Sequence, residues 1–353
     1  MSRSLPCLLR AGVAALGLTA ASAFAQTAIC YNCPTEWADW GTQLRAIKAK
    51  TGITIPPDNK NSGQSLAQLV AEKASPVADV TYLGVTFAIQ AQKEGVVAPY
   101  KPAAWNDIPE GLKDPQGHWF TIHSGTLGFM VNVDALKGKP IPKSWADLLK
   151  PEYKGKIALP GDPRASSQAI LAVFASGLAN GGSLDDAAKG LDFFKQLKDN
   201  GNLIPGVIAN ATTVANGETP ITIRWTYNAL AGRDATAAAG GPEIEVVVPS
   251  SGRFGGVYVQ AISAYAPHPN AAKLWQEFLY SDEGQNMWLR GYCHPIRYED
   301  LVKNNKVPAD QLAKLPDVTG TVFPTLAQLD AARTLITEQW DSVVGVSYPT
   351  PAP

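Results

Sequence analysis

Short apolar runs alternate with amphipathic stretches along the chain, and the alternation sets the expected elements. Thr27–Tyr31 reads as a strand and Asn32–Thr35 as a turn. Trp37–Lys50 reads as a helix with Trp37, Trp40, Leu44 and Ile47 on one face, ended by Gly52. Ile53–Ile55 is an expected strand broken by Pro56-Pro57. Asn61–Ser65 then leads into a helix over Leu66–Lys73 that Ser62 or Ser65 is placed to cap. Asp79–Gly84 reads as a strand and Thr86–Glu94 as a helix. Strand and helix in alternation are the pattern of a largely parallel sheet covered on both faces.

The stretch His118–Val133, HWFTIHSGTLGFMVNV, has a different character. Two apolar and β-branched halves flank Ser124-Gly125-Thr126, which predicts a buried strand bent at a small-residue break. Beyond it the alternation restarts: a short helix Trp145–Leu149 after Ser144, a strand Lys156–Leu159, and a loop Gly161–Ser167 entering a helix Gln168–Leu178. A helix Asp185–Asn200 follows, then a strand Thr219–Trp225 ending in Thr226-Tyr227-Asn228, a helix Ala229–Ala239 and a strand Ile244–Val248. Gly255–Ile262 reads as a second crossover, and Asn270–Leu279, Glu283–Arg290 and Leu326–Val343 as amphipathic helices. Two α/β halves joined by two crossover segments make a hinge and a cleft. The expected division is 26–123 with 259–300 in the first lobe, and 124–258 with 301–353 in the second. Ligands of open α/β sheets sit beyond the carboxyl ends of strands, here loops 32–36, 62–65, 83–86, 161–167 and 225–228.

A length of 353 residues suits about two such units, and 45% hydrophobic with 17% charged residues suits a packed globular chain. Residues 1–25 stand apart. Arg3 and Arg10 give a positive start, Ala11–Ala23 is apolar, and Ala23-Phe24-Ala25 matches a small-x-small cleavage site, so 1–25 is predicted to be a secretory signal peptide. The expected product is soluble, periplasmic, monomeric and without stable membrane insertion. Its removal takes the formal charge from −1 to −3. No basic block interleaves with aromatics, which argues against nucleic acid as a partner.

Catalytic patterns are lacking. There is no Gly-x-Ser-x-Gly elbow, no His-Glu-x-x-His pair and no phosphate-loop lysine, and His118, His123, His268 and His294 are scattered singly. The reading is a binding protein rather than an enzyme, with neither cofactor nor metal. Donor-rich segments point to an anion: Ser62-Gly63-Gln64, Ser124-Gly125-Thr126 and Ser166-Ser167 offer hydroxyls and backbone N–H groups, and Arg164, Arg224 or Arg253 offers charge. Arg224 alternates with Ile223 and Trp225 and is expected to face away from Trp225, toward the surface. Tyr227 and Asn228, at a strand end, are further candidates, as are Asn32 and Gly84 in the loops after strands.

Several segments also resemble a family. Lys50-Thr51-Gly52-Ile53, Ala71–Val80 (AEKASPVADV), Gly125–Asn132 (GTLGFMVN), Pro142–Leu148 (PKSWADL) with Tyr153–Lys156 (YKGK), Asn216–Ile221 (NGETPI), Pro269–Lys273 (PNAAK) and Ser281–Gln285 (SDEGQ) occur in family order. The chain resembles periplasmic solute-binding proteins of ATP-driven (ABC) importers, in the branch holding ferric-iron, polyamine, thiamine and aminoethylphosphonate binders. The resemblance implies a two-lobed, type II periplasmic-binding-protein fold that closes by hinge bending on one small-molecule solute. It also implies an ABC permease and its ATPase as partners. Ferric binders of the branch carry adjacent tyrosines after the equivalent of strand 219–225, whereas this chain has only Tyr227. Polyamine binders set acidic residues against ammonium groups with aromatic walls; Glu36, Asp39 and Asp162, with Trp37, Tyr82, Trp225 and Tyr258, are the candidates here. Phosphonate, phosphate ester or carboxylate is the favoured solute. Of the mature cysteines, the resemblance favours a Cys33–Cys293 bridge near the hinge. Cys30–Cys293 and a local Cys30–Cys33 closure stand as alternatives, and a metal site from the three with His294 is set aside because exported thiols oxidise.

Overall fold

The computed structural model describes residues 27–349; the expected signal peptide lies outside them. In chain order the strands are β1 (Cys30–Tyr31), β2 (Val80–Gly84), β3 (Val97–Ala98), β4 (Phe120–Asn132), β5 (Ile157–Ala158), β6 (Ile221–Trp225), β7 (Ile244–Val247), β8 (Gly255–Ser263) and β9 (His294–Pro295). The principal helices are α1 (Trp40–Thr51), α2 (Ser62–Ala71), α3 (Val85–Lys93), α4 (Ser167–Ala179), α5 (Ala188–Asp199), α6 (Thr226–Ala238), α7 (Pro269–Tyr280), α8 (Asp282–Arg290) and α9 (Leu326–Val343).

Strand β4 organises the molecule. It runs unbroken for 13 residues through Ser124-Gly125-Thr126, so the two apolar halves are one strand that passes from one sheet half to the other. Its first half pairs with β8, from Phe120 opposite Gln260 to Thr126 opposite Gly255, and β8 continues onto β2 and β3. Its second half pairs with β6 (Leu127 opposite Trp225) and with β7 (Phe129 opposite Val247). β1 extends the first group parallel to β2, and β5 the second group parallel to β6. One strand therefore belongs to both sheet halves, and β8 returns beside it. These are the two crossovers expected from the sequence.

Several boundaries shift for local physical reasons. α1 begins at Trp40, because Ala38 and Asp39 take left-handed backbone (φ 52° and 54°); Trp37 therefore sits in the preceding turn rather than on the helix face. Gly52 ends α1 at φ 76° with its N–H on the Lys48 carbonyl, as expected. Ile53–Ile55 contributes only a bridge of Thr54 to Thr27, since Pro56 and Pro57 offer no N–H to extend a ladder. α2 starts at Ser62, capped by Asn61 through a reciprocal box with Gln64, so neither Ser62 nor Ser65 is the cap. α6 begins at Thr226, which puts Tyr227 and Asn228 in its first turn. α9 spans the expected residues.

The cysteine pairing departs from the favoured expectation. Cys30 is bridged to Cys33, and Cys293 is a buried free thiol; neither Cys33–Cys293 nor Cys30–Cys293 forms. Asn32, at φ 66°, turns the chain so that Cys33 comes back beside Cys30 with Cα atoms 5.9 Å apart, within disulfide reach.

Candidate functional site

Four helix N-termini converge where the two sheet halves meet. α3 follows β2 directly after Gly84, α6 follows β6 directly, α4 starts at the Ser166 cap, and α2 at the Asn61 cap. The first turn of each presents backbone N–H groups and the positive end of its dipole. The halves touch at this point. Gly63 N–H donates across to the Ala165 carbonyl at 3.0 Å, and within the first half Gly84 N–H donates to Ser62 Oγ at 3.0 Å. A Cβ on Gly63 would lie 2.6 Å from the Ala165 carbonyl oxygen, and one on Gly84 only 1.9 Å from Ser167 Oγ. Glycine at 63 and 84 is what lets the opposing backbones approach.

Between these groups lies a chamber of about 150 Å³ lined by Asn32, Trp37, Lys60, Ser62, Ser166, Ser167 and Tyr258, among others. It opens into a groove of about 800 Å³ that runs along α2 past Gln64 and Gln68 and shares Asn59, Lys60, Asn61, Pro160 and Ser166 with the chamber. Lys60 is the only charged side chain lining the chamber. Its ammonium reaches Asp58 and lies 4.3 Å from the centre of the Tyr31 ring. Asp58 in turn accepts the Asn32 N–H at 2.8 Å, and Asn32 Nδ2 donates to the Tyr82 carbonyl at 2.7 Å. The Cys30–Cys33 turn thus holds the lysine through Asp58. Ser167 Oγ is buried without a hydrogen-bond partner.

Below the chamber is an aromatic layer. Tyr82 stacks on Tyr258 at 4.6 Å, and Trp225 on Tyr227 at 6.0 Å. Trp37 donates its indole N–H to Tyr82 Oη at 3.1 Å, so the Tyr82 O–H is directed to His123 Nε2 at 2.7 Å. Burial pushes the His123 pKa down to about 3, so at neutral pH its ring is uncharged and accepts that proton. Burial also pushes the Tyr82, Tyr227 and Tyr258 phenols well up. They are therefore protonated at neutral pH. Tyr227 Oη and Asn228 Nδ2 have no partner, while Asn228 Oδ1 accepts the Ala38 N–H at 3.1 Å.

Other expected site residues lie elsewhere. Strand alternation carries Ser124 and Thr126 to the face turned away from the chamber, where Thr126 Oγ1 meets Thr321 Oγ1 at 3.1 Å. Gly125 faces inward with no side chain, and a Cβ there would lie 2.4 Å from the Tyr227 ring. Arg164 is committed to Asp162 and Asp341, and Arg253 to the Pro249 and Thr319 carbonyls. Arg224 is not a surface residue: it is 9% exposed, with α6 packed against its strand. Its Nε and Nη1 lack partners, and burial lowers its pKa to about 10. Glu36 accepts the Thr35 hydroxyl and Asp39 the Thr42 hydroxyl; with Asp162, none of them lines the chamber. Lys60, Asn59, Asn61 and Pro160 were missed by sequence reasoning. The available signal was a lysine in a polar tetrad, Asp58-Asn59-Lys60-Asn61, immediately before a helix that starts at a cleft.

The comparisons agree with this architecture. The family model for bacterial extracellular solute-binding proteins matches residues 75–319. A Haemophilus influenzae protein of unassigned function is 32% identical over 80% of this chain and 81% of its own length. The spermidine/putrescine-binding periplasmic protein of Salmonella typhimurium is 28% identical over 96% of this chain and 93% of its own. Among solved structures, the periplasmic binding protein AfuA of Actinobacillus pleuropneumoniae, with fructose-6-phosphate bound, superposes with a TM-score of 0.70 at 25% identity, covering 91% of this chain and 99% of that one. The two-lobed type II fold with paired crossovers is therefore established, and the chain belongs to the bacterial extracellular solute-binding proteins.

Proposed function

We propose that the protein captures a small organic anion, a phosphate ester, phosphonate or carboxylate, by hinge closure and delivers it to the permease and ATPase of an importer. The observation that carries this reading is the composition of the chamber. Its one charged side chain is Lys60, Ser62, Ser166 and Ser167 supply hydroxyls, and the N-termini of α2 and α4 line it. An anion at a helix N-terminus gains about 0.3–1 kcal/mol in exposed settings and up to about 2 kcal/mol when partly buried. In this reading the anionic group occupies the chamber and the body of the solute extends into the groove along α2. Processing near Ala25 and release into the periplasm complete the proposal.

A polyamine is the second reading, supported by the Salmonella relative's ligand. Its candidate acids Glu36, Asp39 and Asp162 sit outside the chamber, and Asp58, the carboxylate lining the groove, is paired with Lys60. The discriminating experiment is isothermal titration of the mature protein with fructose 6-phosphate and with 2-aminoethylphosphonate, repeated with S166A/S167A. At least one of the two binds the wild type, and the double variant weakens it about tenfold or more, two hydrogen bonds to a charged group being worth about 1.5–3 kcal/mol each. Unchanged affinity in the double variant removes the serines from the site.

A further inference from the structure

The outer face of the β4–β8 ribbon carries a second cavity, of about 440 Å³. Alternation along the strands creates it. His123 and Tyr258 face the aromatic layer under the solute chamber, so Ser124, Thr126 and Val257 face the other way and, with the Gly125 backbone, form the floor of the cavity. Its walls come from both sides of the hinge. Leu112, Ile296 and Tyr298 stand on one side. Val318 and Phe323 stand on the other, in a segment tied to the chain entering β8: Val322 N–H donates to the Arg253 carbonyl and Gly255 N–H to the Val322 carbonyl, both at 2.9 Å. Phe323 packs directly over Gly255, where a Cβ would lie 2.4 Å from its ring.

We propose that this cavity is a second binding site, for a small apolar ammonium such as an arylalkylamine, and that its occupancy favours the closed cleft. Size and chemistry both point there. The volume is within the range of small-molecule sites, about 300–1,000 Å³. The walls are mostly apolar and aromatic above the Ser124 and Thr126 hydroxyls, with Glu299 at the rim as the only charged group and no lysine or arginine. His294 is uncharged at neutral pH because burial lowers its pKa. An amine would place its charge beside Glu299 and near the faces of Tyr298 and Phe323, with its apolar part on Val257, Leu112 and Ile296.

Coupling follows from position. Chamber and cavity lie on opposite faces of one ribbon, so the rotation that opens the first carries Val318 and Phe323 toward Leu112 and Tyr298 and shrinks the second. A molecule filling the cavity opposes opening, and by linkage a closed cleft binds it more tightly. None of this depends on which solute the chamber takes.

The test uses phenethylamine, benzyl alcohol and phenylacetate on the mature protein, by isothermal titration and small-angle X-ray scattering. At the site that V318W blocks, phenethylamine binds at least tenfold more tightly than phenylacetate, a carboxylate that the solute chamber also admits, and phenethylamine lowers the radius of gyration. E299Q weakens phenethylamine about threefold or more and leaves benzyl alcohol unchanged. V318W, which fills the cavity from a half-buried position, abolishes binding of both and by itself lowers the radius of gyration. Equal affinity for amine and acid, phenethylamine binding that survives V318W, or compaction absent at saturation overturns the proposal.

Discussion

Closure brings Gly84 of the first sheet half against Ser167 of the second, and adding one methyl group there tests the hinge directly. A Cβ at position 84 would lie 1.9 Å from Ser167 Oγ and 2.4 Å from Ser167 Cβ. Ordinary contact begins near 3.4 Å, so the opposing surfaces must separate by roughly 1.5 Å. The backbone at Gly84 has φ −61° and ψ 142°, which alanine adopts without strain. G84A therefore leaves each half intact and penalises only the closed state. Overpacking of this kind costs about 1–3 kcal/mol, which weakens solute binding by roughly 5- to 150-fold. Titration calorimetry measures the affinity, and thermal unfolding without solute measures the fold. The expected result is weakened binding at an unchanged ligand-free Tm. Wild-type affinity in G84A, or a ligand-free Tm that falls as far as the affinity does, refutes the closure geometry.

Three further outcomes follow from the site. Burial holds the His123 pKa near 3, whereas an unfolded histidine titrates near 6.5. The unfolded chain therefore binds the extra proton first as pH falls. Stability from this group is complete above about pH 6.5 and is lost progressively toward pH 3, by up to about 1.4 kcal/mol per pH unit; urea unfolding of wild type and H123Q between pH 7 and 4 should show a shallower fall in the variant. Thiol titration of the unfolded, unreduced mature protein should find one free thiol, from Cys293, and three after reduction; three before reduction contradicts the Cys30–Cys33 bridge. K60Q should weaken a phosphate ester about tenfold and flatten the salt dependence of binding while leaving Tm within about a degree, because the ammonium is partly exposed. An unaltered salt dependence would place the anion away from Lys60.

Much of the fold was legible because periodicity and punctuation agree. Leu326–Val343 has an apolar stripe and a Thr325 cap, and Gly255–Ile262 is too apolar to be anything but buried strand. The site was legible in part. Ser62, Ser166 and Ser167 stand before or at helix starts that follow strands, and those helices do meet at the cleft. Alternation separates Ser124 and Thr126 from Gly125, but which face turns toward the cleft depends on how β8 and α6 pack, and that is tertiary information. Lys60 lies in an aperiodic loop after Pro56-Pro57, where nothing local indicates an inward ammonium. Arg224 was correctly set opposite Trp225, yet the coverage of its face by α6 is invisible along the strand. The cysteine pairing turned on one left-handed residue, Asn32, which no hydrophobic pattern encodes.

The most direct test of the anion reading is the melting temperature of the mature protein with matched solutes at pH 7. A phosphate ester or phosphonate at one hundred times its Kd stabilises the native state by about 2.7 kcal/mol, or roughly 5 °C. The account predicts that rise with fructose 6-phosphate or 2-aminoethylphosphonate, and none with fructose, ethanolamine or spermidine. A rise with spermidine alone would contradict it.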